Sequence, residues 1–199
     1  MDYDWIEQMK EESRNDMLRD LVRLVDLHAG RNTLTNPFGQ LSHGAHTRDY
    51  PYYALRLLLT DSVHPSAAPG TLETAWTHPE YPEQIGGTAS WRKAFEKVGY
   101  IENDRYARRP EEPLTLYSGL SGDDAVNIEA WHQMAWTSDI KIARWFADRF
   151  HDPRQVVLRA TVEPERLYAH FTNRGESEYV INTDDLDMEI LESNHVQDR

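Results

Sequence analysis

The sequence predicts an α+β fold, with a helical N-terminal segment followed by a strand-rich core. Three observations predict it. Apolar residues recur at helical spacing through about residues 1–110. Residues 111–199 instead hold several short runs of strand character around one helical run. The two regimes meet at Asn103 to Pro113, a charged stretch punctuated by prolines. Many short strands with a single crossing helix indicate a small, mostly antiparallel sheet or a split pair of sheets. The two parts are read as one compact unit.

In chain order, Asp4 to Ala29 reads as a helix. Leu18, Leu21, Val22 and Val25 form its stripe, Asp4 with Glu7 caps it, and Gly30 stops it. Gly30 to Asp49 is loop. His43 and His46 lie there, and Gly44 and the absence of an obvious third ligand make them loop histidines rather than a zinc site. Tyr50 to Val63 is a second helix carried by Leu55, Leu58 and Leu59, with Pro51 in its first turn. His64 to Gly87 holds Pro65, Pro69, Pro79 and Pro82, plus Trp76 and Tyr81. It is read as a functional loop or as irregular packing over the core. Thr88 to Gly99 is a third helix on Trp91, Phe95 and Val98, stopped by Gly99.

Further along, Leu114 to Ser118 is a short strand ended by Gly119, and Ser121 to Asn127 is turn-rich and acidic. Met134 to Ser138 is a second strand. Ser138 or Asp139 then caps a helix with Ala143, Phe146, Ala147 and Phe150 on one face, closed by His151-Asp152-Pro153. Gln155 to Val162 alternates on Val156, Leu158, Ala160 and Val162, which makes a strand with one buried face. Strands at Leu167 to Phe171 and Glu178 to Ile181 follow, and Asp187 to Leu191 closes the pattern.

The totals narrow the function classes. The chain has 199 residues, 39% hydrophobic, with six Trp, ten Tyr and five Phe, enough bulk for a core. A net charge of −13 disfavours a duplex nucleic-acid binder, which needs a basic face. No cysteine is present, so disulfides, thiolate metal sites and cysteine nucleophiles are excluded. No apolar run approaches a membrane span, and Met1 to Lys10 is polar and acidic rather than a signal peptide. A cytoplasmic protein without membrane partners is expected.

The stretch richest in chemistry is Arg174-Gly175-Glu176-Ser177-Glu178-Tyr179-Val180-Ile181. If Glu178 opens a strand, period-two geometry sets Glu176 and Glu178 on one side of the backbone. Two carboxylates that close repel, and one pKa tends to rise unless a cation or a substrate hydroxyl lies between them. Such a pair suits holding a sugar hydroxyl with one carboxylate and activating a nucleophile with the other. A pair of solvated turn glutamates is the plain alternative.

Together with two upstream motifs, this stretch resembles the ADP-ribosyltransferase family. A strand ending in Tyr-x-Gly (Tyr117, Ser118, Gly119), then aromatic-Thr-Ser before a helix (Trp136, Thr137, Ser138), then Glu-x-Glu opening a late strand follow in that order. The resemblance covers roughly Leu114 to Leu191. It implies a split β-sheet core and NAD as substrate. Glu178 is then the catalytic carboxylate that bonds a ribose hydroxyl and stabilises an oxocarbenium-like centre, and Glu176 is the carboxylate on the acceptor side. Tyr117, Ser118 and Gly119 stand in the NAD-gripping motif, and Trp136, Thr137 and Ser138 shape the nicotinamide pocket. Trp136 or Tyr117 is placed to stack on nicotinamide, or else packs in the core, and Thr137-Ser138 serves the pocket or caps a helix.

One departure stands out. Ser118 occupies the position where the family carries Arg or His, and a hydroxyl cannot grip a diphosphate as a guanidinium does. Arg105, Arg108, Arg109 and Arg174 are candidate replacements. The resemblance implies mono-ADP-ribosylation of a macromolecular acceptor, a protein first of all. Arginine is the first acceptor chemistry because Glu176 is Glu rather than Gln. A degenerate binding module that holds a protein or a nucleotide is the rival, and an NAD glycohydrolase is a third reading. The motif style is similar to bacterial and bacteriophage members, which implies an effector role against a host or a rival.

Overall fold

The computed structural model describes residues 50–61, 63–172 and 175–194. The expected helix over Asp4 to Ala29, His43, His46 and Arg174 lie outside the described residues. The chain divides into two compact units at Val98/Gly99. The boundary falls earlier than 110 because residues 101–106 form strands that join the C-terminal sheet.

In the first unit, the described residues form three helices, α1 (Tyr50–Leu59), α2 (Ala68–Thr77) and α3 (Thr88–Val98). Helix α2 corrects the loop expected between His64 and Gly87. Pro69 reads as a breaker in the sequence, but proline is accommodated in a first helical turn, where its missing N–H has no partner to lose. The buried residues Ala68, Leu72, Ala75 and Trp76 fall at i, i+4, i+7 and i+8, a helical face. Trp76 meets Trp91 and Phe95 edge-on, each with ring centroids 5.2 Å apart. The buried Trp91 indole donates to the carbonyls of Pro82 (2.7 Å) and Ile85 (2.8 Å), which fastens the proline-rich connection to α3.

In the second unit the described residues form eight strands: β1 (Ile101–Glu102), β2 (Arg105–Tyr106), β3 (Leu114–Ser121), β4 (Ala135–Thr137), β5 (Gln155–Val162), β6 (Leu167–Phe171), β7 (Glu178–Ile181) and β8 (Glu189–Asn194). Their order is β2-β1-β6-β7-β4-β3-β5-β8. All pairs are antiparallel except β1 with β6. The sheet is continuous yet nearly divided, because β3 and β4 meet at a single residue pair, Tyr117 with Thr137. A short helix α4 (Asp123–Val126) replaces the acidic turn expected at Ser121 to Asn127, and α5 (Ile140–Asp148) crosses the sheet.

One face of the sheet carries the main core, including Leu116, Leu120, Trp136, Leu158, Val162, Leu167 and Ile181. Each such aliphatic side chain contributes roughly 1.5–3 kcal/mol of hydrophobic transfer on full burial. The opposite face holds α5 through Ala143 and Ala147 on Val157 and Tyr117. The alternation in β5 is thus half of its burial, since Val157 is covered from the helix side.

Gly119 does not end β3. It sits inside the strand because α5 presses on it, and a Cβ there would lie 1.8 Å from the Ala143 carbonyl oxygen. That close approach leaves room only for alanines under the helix. Phe150, expected on the same buried face, lies beyond the end of α5 and is 61% exposed. The helix is capped by Asp139, whose carboxylate accepts from Lys141 N at 2.8 Å, and not by Ser138. The last strand starts two residues later than expected and ends three later, over Glu189–Asn194. Among the described residues no helix is long and apolar enough to cross a membrane.

Replacing Gly119 by Ala forces α5 off the sheet. We expect a loss of about 3 kcal/mol in urea unfolding, at the upper end of the usual overpacking range. A midpoint equal to wild type rules out the close approach.

Candidate functional site

The three motifs are distant in sequence, yet their strands are neighbours, in the order β7-β4-β3. Register decides which side chains share a face. Glu178 lies opposite Thr137, and Thr137 lies opposite Tyr117. Directly opposed residues carry their side chains on the same side, with Cβ atoms about 5 Å apart. The row continues outward to Phe171 on β6, and to Arg159 and Glu189 on β5 and β8. It therefore reads Phe171, Glu178, Thr137, Tyr117, Arg159, Glu189 across one face. Beside it, Thr115 and Thr161 oppose each other and are exposed, so this part of the face is open.

The opposite face carries the second row: Trp136, Tyr179, His170, Glu102 and Arg105. His170 stacks on Tyr179 with centroids 4.1 Å apart and planes within 8°. Its Nε2 lies 3.0 Å from Ser177 Oγ, and Ser138 Oγ donates to Ser177 Oγ at 2.9 Å. Ser138 N also donates to the Ser177 carbonyl, at 3.3 Å. These bonds clamp the residue between the two glutamates onto the strand end that precedes α5. Burial lowers the His170 pKa, partly opposed by the Glu102 carboxylate, so the neutral ring is favoured. Burial raises the phenol pKa of Tyr179, which Ser177 partly offsets by hydrogen bonding.

The expected site residues separate on this geometry. Glu178, Thr137 and Tyr117 come together on one face, whereas Glu176 precedes β7, outside the paired strand that sets this register. Thr137 is buried, and its Oγ1 accepts from Asp139 N at 3.1 Å, a bond that ties the pocket strand to the start of α5. Ser138 is exposed and belongs to the Ser177 clamp. Three residues are not placed to touch a ligand. Trp136 is 2% exposed in the main core, and its indole donates to Gln133 O at 2.9 Å, so its ring has no free face for nicotinamide. Ser118 is 3% exposed on that same core face, where it accepts from Gln133 Nε2 at 2.7 Å. Gly119 is covered by Ala143.

Among the expected cations, Arg109 donates to the Leu167 carbonyl at 2.9 Å, and Arg105 stands on the face opposite Glu178. The sequence reading missed Arg159 and His170. Arg159 was legible as the one charged residue interrupting the apolar run from Val156 to Val162. His170 carried no local signal, because its partners are Tyr179 on β7, Ser177 just before that strand, and Glu102 on β1.

A histidine held neutral couples folding to pH. Its native pKa lies below the unfolded value of about 6.5, so the unfolded chain takes up the proton first as pH falls. Stability from this group is full above that value and is lost on acidification. Between pH 7.5 and 5.5 the unfolding midpoint should fall in wild type and fall less in His170→Gln; equal slopes would show that His170 is not the titrating group. Compared as a whole, the chain matches no family model, no curated protein and no solved structure.

Proposed function

We propose that this chain is an NAD-dependent mono-ADP-ribosyltransferase acting on a macromolecular acceptor, with arginine as the acceptor side chain. One observation carries the reading. Three motifs separated by dozens of residues converge on a single cross-strand row, in which Glu178 stands opposite Thr137 and Thr137 opposite Tyr117. The exposed Thr115 and Thr161 beside Tyr117 and Arg159 give that face hydroxyls that can bond phosphate and sugar oxygens.

In this mechanism the bond between nicotinamide nitrogen and ribose C1′ breaks, and nicotinamide leaves with the bonding pair. Positive charge grows on the ribose. The Glu178 carboxylate holds a ribose hydroxyl and stabilises that charge more in the transition state than in the ground state. Glu176 accepts hydrogen bonds from the acceptor guanidinium, whose nitrogen forms the new bond to C1′ and then releases its proton. The Ser177 clamp fixes the backbone between the two carboxylates, so both are oriented before substrate arrives.

A second reading has its own observation. The first-motif position is a buried serine bonded to Gln133, with no cation there to hold a diphosphate. That favours a catalytically silent module that binds a protein or a nucleotide.

The test is nicotinamide release from NAD, with cell lysate as acceptor source, by wild type and Glu178→Gln. The transferase reading expects release and labelled protein in wild type, and a drop of roughly 100-fold or more in the variant. Release without labelled protein means that water is the acceptor, a glycohydrolase. No release and no calorimetric NAD binding overturns the enzyme reading in favour of the silent module.

A further inference from the structure

The diphosphate of NAD is a charge that a guanidinium matches well, and Ser118 offers none. Strand parity narrows where that cation sits. Arg105 shares the row of Glu102, His170, Tyr179 and Trp136, on the wrong face of the sheet. Arg109 is held by the Leu167 carbonyl, Arg166 lies against the Asn182 and Asp184 carbonyls, and Arg154 binds Asp123 and Asp152. Arg159 alone among the described arginines lies in the same cross-strand row as Glu178, Thr137 and Tyr117.

We propose that Arg159 is the residue that grips the diphosphate of NAD, in place of the arginine missing at position 118; the proposal rests on the transferase reading. Three strand spacings separate Arg159 from Glu178, about 14 Å along the sheet. Tyr117 and Thr137 occupy the row in between. The Arg159 guanidinium reaches the other way, to Glu189 on β8, so gripping a diphosphate in the row means leaving that partner. Thr115 and Thr161, exposed on the next row, add hydroxyl donors for phosphate oxygens. Arg159 is paired with Glu189, and both are substantially exposed, so water screens the pair. A guanidinium has five N–H donors, and a doubly charged diphosphate takes them in parallel pairs that a single exposed carboxylate does not match.

The test compares KM for NAD in wild type, Arg159→Gln, Glu189→Gln and Arg144→Gln, followed by nicotinamide release. Nicotinamide riboside, which has no phosphate, is a second substrate for each. The expected result is a rise of ~10- to 100-fold in KM for NAD in Arg159→Gln, the range of a charged hydrogen-bond pair, with kcat little changed. Glu189→Gln should leave KM unchanged or lower it, and Arg144→Gln, which loses the comparable pair with Glu192, should leave it unchanged. The riboside should show no dependence on Arg159. Equal rises in Arg159→Gln and Glu189→Gln would mean that the ion pair only supports the sheet, and the proposal falls. An unchanged KM in Arg159→Gln, with an active wild type, overturns the proposal and leaves the transferase reading standing. A wild type that neither binds NAD nor releases nicotinamide overturns both.

Discussion

The C-terminal unit depends on one backbone contact, the seating of α5 on Gly119. The Ala143 carbonyl occupies the space that any side chain at 119 would fill. Once α5 is fixed there, its first residues are fixed too, and they follow directly from β4. The bond from Asp139 N to Thr137 Oγ1 and the Asp139 cap then set the end of β4 against the sheet. That matters because β4 has only three residues and meets β3 at one pair. Main-chain pairing alone leaves this seam weak, so the helix holds together what the ladder does not. The glycine in the first motif thus serves packing, whatever ligand the face accepts.

Much of this architecture was legible in the chain. Gln155 to Val162 declared its strand through four apolar residues at period two, and β6 and β7 fell where β-branched and aromatic residues clustered. Helix α3 was announced by Trp91 and Phe95 and stopped by Gly99, whose φ of +90° suits glycine. The failures share a cause. Local rules read Gly119 and Pro69 as breakers. In the folded chain Gly119 answers a long-range contact, and Pro69 lies in the opening turn of a helix, where proline is tolerated. Only at Gly119 does tertiary packing override the local rule.

The candidate site was half legible, and the reason is parity. Motif order identified Tyr117, Thr137 and Glu178, and register sets them side by side. The same motifs also named Ser118 and Trp136, which lie one residue away along their strands. One residue along a strand is the other face of the sheet. Sequence motifs name neighbourhoods, and only the pairing register assigns each member to the ligand side or the core side. His170 needed that register to be seen at all, and Arg159, visible in the chain as a lone charge in an apolar run, takes its meaning from residues on other strands.

Strand β8 closes one end of the sheet order and presents Glu189 and Glu192. Strands at the end of a sheet are templates for unwanted growth, because their unpaired amides and carbonyls accept another strand. Glu189 and Glu192 are engaged by Arg159 and Arg144. Here the carboxylates do two jobs at once: they pin arginines of the same unit, and the resulting charged pairs stand along the outer strand, where charged side chains disfavour the addition of another. Among the described residues the sheet order stops at β8, and that last strand is its selvedge.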